Sequence, residues 1–270
     1  MKKIIYILMG VAMAMASCSD IDESERLLNV DKPGTENPDD DGQVVTRKIL
    51  IEDFTGQKCV NCPKAADIIE QIQNDYGADN VIAVGIHSGA LGFHGTANLV
   101  GLATDTGDEY YQHWGIKFQP AGLVNRVGGI LNHEQWMKAV HDAAGQKASL
   151  SIEIGNNYND ADRTVTINVR TKGVSGNTEG KLQVWAIEDN IVAMQKMPDG
   201  STNKEYVHKH VFRTSVNDAW GDNFSIAKGE EKTATYTLKI DGKWVAENVS
   251  IVAFVYNGEG VQQVEKKSIK

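Results

Sequence analysis

Two cysteines, Cys59 and Cys62, stand two residues apart in the run Asp53-Phe54-Thr55-Gly56-Gln57-Lys58-Cys59-Val60-Asn61-Cys62-Pro63, a spacing that permits three chemistries. A reversible dithiol exchanges with another disulfide, a permanent disulfide staples the start of a helix in an oxidising compartment, and a zinc site would need two further ligands. In the first case Cys59, nearer the expected helix start and more exposed, attacks as the thiolate. Lys58 beside it and the helix N-terminus both favour the anion, and Cys62 resolves the mixed disulfide. Asp53 takes the proton from Cys62, a role that requires burial and a raised pKa. Pro120 shapes the substrate groove, with Lys58, Trp114 and Gln119 beside it. For zinc, His87, His94 and His113 are the candidates from the same half of the chain, but their spacing matches no ligand motif, so no metal is assigned. His208 and His210 are expected on one face of a strand, without acidic partners. No cofactor is expected: Ser88-Gly89-Ala90-Leu91-Gly92 lacks the glycine spacing and the lysine-threonine ending of a phosphate loop, and there is no Gly-x-Ser-x-Gly elbow.

The flanking residues say which elements hold the pair. Lys48 to Phe54 is an apolar run of strand length, and Ala65, Ile68, Ile69, Ile72 and Tyr76 recur at helical spacing. A second buried strand runs from Val81 to Ile86. A glycine-rich stretch follows, then the aromatic patch Tyr110-Tyr111-Gln112-His113-Trp114, then a turn, Pro120 and a strand over Ala121–Asn125. With Phe118, that patch could form an aromatic lip, although such clusters usually pack as core. Asn132 with Gln135 predicts a capped closing helix with Trp136, Ala139, Val140 and Ala143 on its apolar face, ending at Gly145. From about residue 148 the pattern changes to strands only: 148–154, 163–170, 181–187, 207–213, 232–240, 248–256 and 260–268, separated by turn signals such as Asp199-Gly200 and Asn257-Gly258. Seven short strands suggest an immunoglobulin-like sandwich.

The remaining cysteine, Cys18, has a separate explanation. Lys2 and Lys3 precede an apolar stretch too short for a comfortable membrane span, and Met15-Ala16-Ser17-Cys18 resembles a bacterial lipobox, with Met15 where leucine is commonest. The expectation is a signal peptide over 1–17 and a lipidated Cys18 anchoring the protein to a membrane surface. Residues 19–43 carry nine acids against Arg26 and Lys32, net −7 of the chain's −9, and read as an acidic tether within a linker over 18–43. The rest is only mildly acidic and has no basic stripe, which argues against nucleic acid as a partner.

Three sets of residues carry family resemblances. Asp53-Phe54 ahead of Cys59-x-x-Cys62, with Gly115-Ile116-Lys117-Phe118-Gln119-Pro120 downstream, resembles the thioredoxin fold, in which the proline is cis and packs beside the disulfide. Lys58 replaces the usual tryptophan, and Val60-Asn61 the usual Gly-Pro. More narrowly, Glu52-Asp53-Phe54-Thr55-Gly56, Pro120-Ala121-Gly122-Leu123-Val124-Asn125-Arg126 and Tyr206-Val207-His208-Lys209-His210-Val211-Phe212-Arg213 resemble the outer membrane protein 28 related family of lipoproteins of the Bacteroidota. Ser19-Asp20-Ile21-Asp22-Glu23 resembles the signal that sends such lipoproteins to the outer face of the outer membrane. The resemblance implies an α/β thioredoxin-like domain over 44–147 followed by an all-β immunoglobulin-like sandwich over 148–270, in an outer membrane lipoprotein that is surface-exposed or periplasm-facing. It implies no reaction. Two functions stay open: a thiol-disulfide oxidoreductase acting on envelope proteins, and a non-enzymatic lipoprotein that binds an envelope or extracellular partner, with Cys59–Cys62 as a structural disulfide. Surface placement favours the second, because a reductase there would need electrons that no domain supplies.

Overall fold

The computed structural model describes residues 44–270. The expected signal peptide, Cys18 and the acidic tether lie outside these residues. Strand β1 (Ile49–Thr55) is buried along its whole length and pairs in parallel with β2 (Val81–His87), from Ile49↔Val81 to Thr55↔His87. Parallel neighbours need a crossover, and helix α1 (Cys62–Tyr76) supplies it. Its Ala65, Ile69 and Ile72 bury against Ile49, Ile51, Val81 and Ala83, one face of the pair. Side chains alternate along a strand, so Leu50, Glu52 and Phe54 point to the opposite face. Leu50 and Phe54 pack there with Ile82, Val84 and Ile86.

Helix α2 (Asp105–His113) begins at Thr104, whose hydroxyl accepts from the Gly107 N–H at 3.0 Å, with Asp105 and Asp108 in its first turn. Strand β3 (Ala121–Val124) runs antiparallel to β1, and β4 (Leu131–Asn132) pairs with β3. The expected cap is present: Asn132 Oδ1 accepts from Glu134 N–H, and Gln135 Oε1 accepts from Asn132 N–H. A 3-10 turn (His133–Gln135) leads into α3 (Trp136–Ala143), which buries Trp136 and Val140.

Ten strands follow: β5 (Leu150–Asn159), β6 (Thr164–Gly173), β7 (Thr178–Glu188), β8 (Ile191–Lys196), β9 (Thr202–His208), β10 (Val211–Ser215), β11 (Asp222–Ile226), β12 (Glu231–Lys239), β13 (Val249–Asn257) and β14 (Gly260–Ser268). The sheet β12-β6-β5 packs through Ile152, Val165, Ile167 and Val169 on Leu182, Val184, Ile251 and Val255 of β7 and β13. The hairpin β8-β9 stands apart as its own two-stranded sheet. The expected strand over 207–213 is two strands, broken where His210 takes a φ of 56°. His208 and His210 therefore do not share a strand face; His210 turns to Asp189, which accepts from its backbone N–H at 2.6 Å.

The sequence divides at residue 147, yet one nine-stranded sheet crosses that point in the order β14-β13-β7-β10-β2-β1-β3-β4, with β11 on β7. The join is between β2 and β10, where Val211 faces Gly85 and the Gly85 N–H donates to the His210 carbonyl at 2.8 Å. Residues 44–270 belong to one compact unit.

Candidate functional site

Cys59 and Cys62 are joined as a disulfide at the mouth of α1. Helix α1 begins at Cys62 rather than at Cys59, and the two residues are equally enclosed, 2% and 4% exposed. Cys59 is thus not the exposed member of the pair. Two segments cover it. The Leu91 carbonyl accepts from the Lys58 N–H at 3.0 Å and lies so close to Gly56 that a Cβ there would meet it at 2.3 Å, which makes this a glycine-only position. From the other side comes the β8–β9 hairpin. The Gln195 carboxamide, itself buried, donates to the carbonyls of Cys59 (2.8 Å), Lys196 (3.0 Å) and Gly56 (3.3 Å). The Lys196 N–H donates to the Gln57 carbonyl, and the Gln57 side chain reaches back to the Met194 and Val100 carbonyls and the Leu102 N–H.

By alternation Asp53 points to the sheet face that α1 covers, the face of Ile49 and Ile51. It is buried, and its Oδ1 has no hydrogen-bond partner among the described residues. Burial alone pushes its pKa up to about 8, so the carboxyl is largely protonated at neutral pH. Thr55 and His87 continue the same face. His87 meets His208 of β9 edge-on, ring centroids 5.1 Å apart, and Tyr206 meets His208 edge-on as well, at 4.8 Å. Burial, then the His208 and Arg213 charges, holds His87 well below the ordinary histidine range, and burial lowers His208 to about 4. Both rings are neutral at pH 7 in the folded protein.

The expected groove residues separate. Gln119 donates to the carbonyls of Thr55 (2.7 Å) and Ser88 (3.0 Å), the Gln119–Pro120 peptide is cis, and Pro120 is buried. Lys58 is exposed, its ammonium 5.4 Å from the Phe93 ring centroid. Trp114 belongs elsewhere. It packs on the opposite sheet face, with the Arg126 guanidinium 5.5 Å from its ring. Its neighbour Tyr110 is core, packed at a tilt against Trp185 and edge-on against Phe212. Phe118 remains exposed.

On that second face Glu52 and Arg126 form a buried bidentate pair, Nε–Oε2 at 2.8 Å and Nη2–Oε1 at 2.7 Å. Sequence reading missed both as a unit, and it missed the Gln195 contacts and the His87–His208 pair. Apart from the Gln195–Lys196 contact, each joins residues more than seventy positions apart, for which strand periodicity carries no signal.

The family model of outer membrane protein Omp28 matches residues 107–270, more than half of the chain. The chain belongs to the Omp28 family. Its place is accordingly the outer membrane. The matched part of this Omp28 chain holds Arg126, the β8–β9 hairpin and the Tyr206–Arg213 run, and begins after the disulfide. Among solved structures, HBP35 of Porphyromonas gingivalis aligns over 83% of this chain and 76% of its own at a TM-score of 0.60 and 17% identity, a shared fold. A domain of the outer membrane lipoprotein Omp28 from the same organism is 29% identical over 46% of this chain and 89% of its own, at a TM-score of 0.34. No curated protein matches.

Proposed function

We propose that the protein is a lipid-anchored binding lipoprotein of the outer membrane, held by acyl chains on Cys18, in which Cys59–Cys62 is a structural staple. The enclosure of both cysteines beneath Leu91 and the β8–β9 hairpin carries this reading. Exchange begins with a thiolate approaching one sulfur along the S–S axis, and a protein substrate has no open path to either. In the same reading β1, α1, β2, the cis-proline turn, β3, β4 and α3 form a thioredoxin-like module, while β5–β7 and β11–β14 form an immunoglobulin-like sandwich. The order of elements supports both assignments. Partners are membrane lipid through Cys18 and an envelope or extracellular ligand.

A second reading, thiol–disulfide exchange, has one observation in its favour: the protonated Asp53 on the α1 face. Once the hairpin swung away, that carboxyl would hold a proton for a departing Cys62 thiolate.

Equilibrating the full-length chain in glutathione and dithiothreitol buffers, with mass-spectrometric counting of free thiols, separates the two. A staple shows a potential below about −300 mV and frees its thiols only on unfolding. A potential between about −270 and −120 mV with the native circular dichroism spectrum retained overturns it in favour of exchange.

A further inference from the structure

The face of the large sheet opposite the disulfide opens into a groove of about 570 Å³. Three partly exposed aromatic rings line it, Trp114, Trp220 and Tyr256, with His113 stacked on Trp220 at 4.1 Å. The rings are fixed from behind. The Trp220 indole N–H donates to Glu109 at 2.6 Å, and the Tyr256 hydroxyl donates to the Trp220 carbonyl at 2.7 Å.

Three polar side chains of the groove, Arg126, Trp114 and Lys181, can only donate; His113, Tyr256 and Asn257 line it as well. Arg126 spends Nε and Nη2 on Glu52, and its Nη1 is buried without an acceptor; the Trp114 indole N–H is likewise buried and unpartnered. Lys181 adds an ammonium at the wall. Indole, guanidinium and ammonium groups cannot accept hydrogen bonds, so a ligand complementary to these three must bring acceptors. The backbone is held to present this set: Asn125 and Arg126 both lie in the left-handed region, φ 50° and 57°, and Asn125 Oδ1 accepts from the Leu50 N–H at 2.8 Å. Two successive non-glycine residues there cost energy that the surrounding hydrogen bonds must offset.

From this we infer that the groove is a binding site for an acidic sugar, its ring lying on the Trp114, Trp220 and Tyr256 faces and its carboxylate at Lys181 above the Arg126 guanidinium. This rests on the binding-lipoprotein reading and names its ligand. A flat aromatic acid suits an enclosed slot that covers both its faces. This groove is open to water on one side, which fits a sugar whose C–H face meets the rings while its hydroxyls stay hydrated. A second hollow of about 350 Å³ meets the first at Gly180, lined also by Glu179, Asn223 and Ser225, and gives room for a further residue of an oligosaccharide.

The test is calorimetric titration of the full-length chain in detergent with digalacturonic acid and sialyllactose, against neutral galactobiose and indole-3-acetate, with tryptophan fluorescence as a parallel readout. The expected result is saturable binding of an acidic sugar that weakens about tenfold in Lys181→Met, a wall substitution compatible with the fold, and weakens again in high salt. Absence of saturable binding of either acidic sugar up to about 10 mM, or equal binding of galactobiose, overturns the inference. So does preference for indole-3-acetate, which would make the site one for aromatic acids. Thiol counting on Lys181→Met keeps the two readings apart, because the staple does not depend on this groove.

Discussion

Asp53 carries the clearest consequence at the level of a single residue. A carboxyl whose pKa rises to about 8 on folding keeps a proton that the unfolded chain gives up near pH 4. Between those values the native state binds more protons than the unfolded state, so stability falls as pH rises through the window and levels off above about 8. Asn mimics the neutral carboxyl and has no charge to bury. Asp53→Asn is therefore expected to raise stability at pH 7 by about 2–4 kcal/mol and to flatten the decline between pH 5 and 8. Urea unfolding of both proteins across that range checks it. Equal slopes would mean that Asp53 is ionised in the fold, and would remove the observation favouring thiol exchange.

At the scale of elements, the hairpin β8–β9 decides what the disulfide can do. It has no other sheet to pair with, and its hold on the Cys-x-x-Cys loop is the Gln195 carboxamide, the Gln57 contacts and the neutral His87–His208 pair. Gln195→Ala removes donors from three buried or half-buried carbonyls and is expected to cost about 1–3 kcal/mol. A water-soluble phosphine should then reduce the bond several-fold faster in the native protein, while an Ala substitution at the exposed Val192 on the same hairpin leaves the rate unchanged. Acid should act on the same element. His208 falls to about 4 on folding, so the stability it confers is whole above about pH 6.5 and is lost as pH drops through 4, Arg213 beside His87 adding repulsion. Phosphine reduction compared at pH 7 and pH 4.5, each normalised to a short unfolded Cys-x-x-Cys peptide, should show the hairpin opening in acid; a flat ratio would show that it does not. The pattern of the chain made the core strands of this region legible, because Ile49–Phe54 and Val81–Ile86 are unbroken apolar runs. The hairpin was not. Thr202–Val207 is mostly polar, Ile191–Lys196 is six residues long, and what orders them is a pair of histidines and a glutamine whose partners lie far off in sequence.

For the molecule as a whole, the decisive contacts are those that let neither half stand alone. Periodicity marked a change near residue 147 from mixed α/β to β, but a pattern within each segment says nothing about which sheet edges meet. Residues 44–147 by themselves would expose the β2 edge that β10 covers, and would leave Leu50, Phe54, Ile82 and Ile86 without Trp185, Phe212 and Phe254. Burying each such side chain contributes about 1.5–3 kcal/mol, a sum comparable to the whole stability of an ordinary domain. Arg126 adds an electrostatic tie, since its guanidinium bonds Glu52 of β1 while lying 5.0 Å from the Phe254 ring and 4.2 Å from that of Tyr256 on β13. Two outcomes are expected. The chain unfolds in one transition, with near-ultraviolet dichroism and far-ultraviolet dichroism coincident, and a fragment ending at residue 147 is soluble only as a non-native species. Arg126→Met, which keeps the apolar stem but strands the Glu52 carboxylate, costs about 3–5 kcal/mol, and Glu52→Gln added to it recovers part of that loss. Separate transitions for the two dichroism signals, or a folded 44–147 fragment, would mean that the shared sheet does not couple the halves and that each keeps a core of its own.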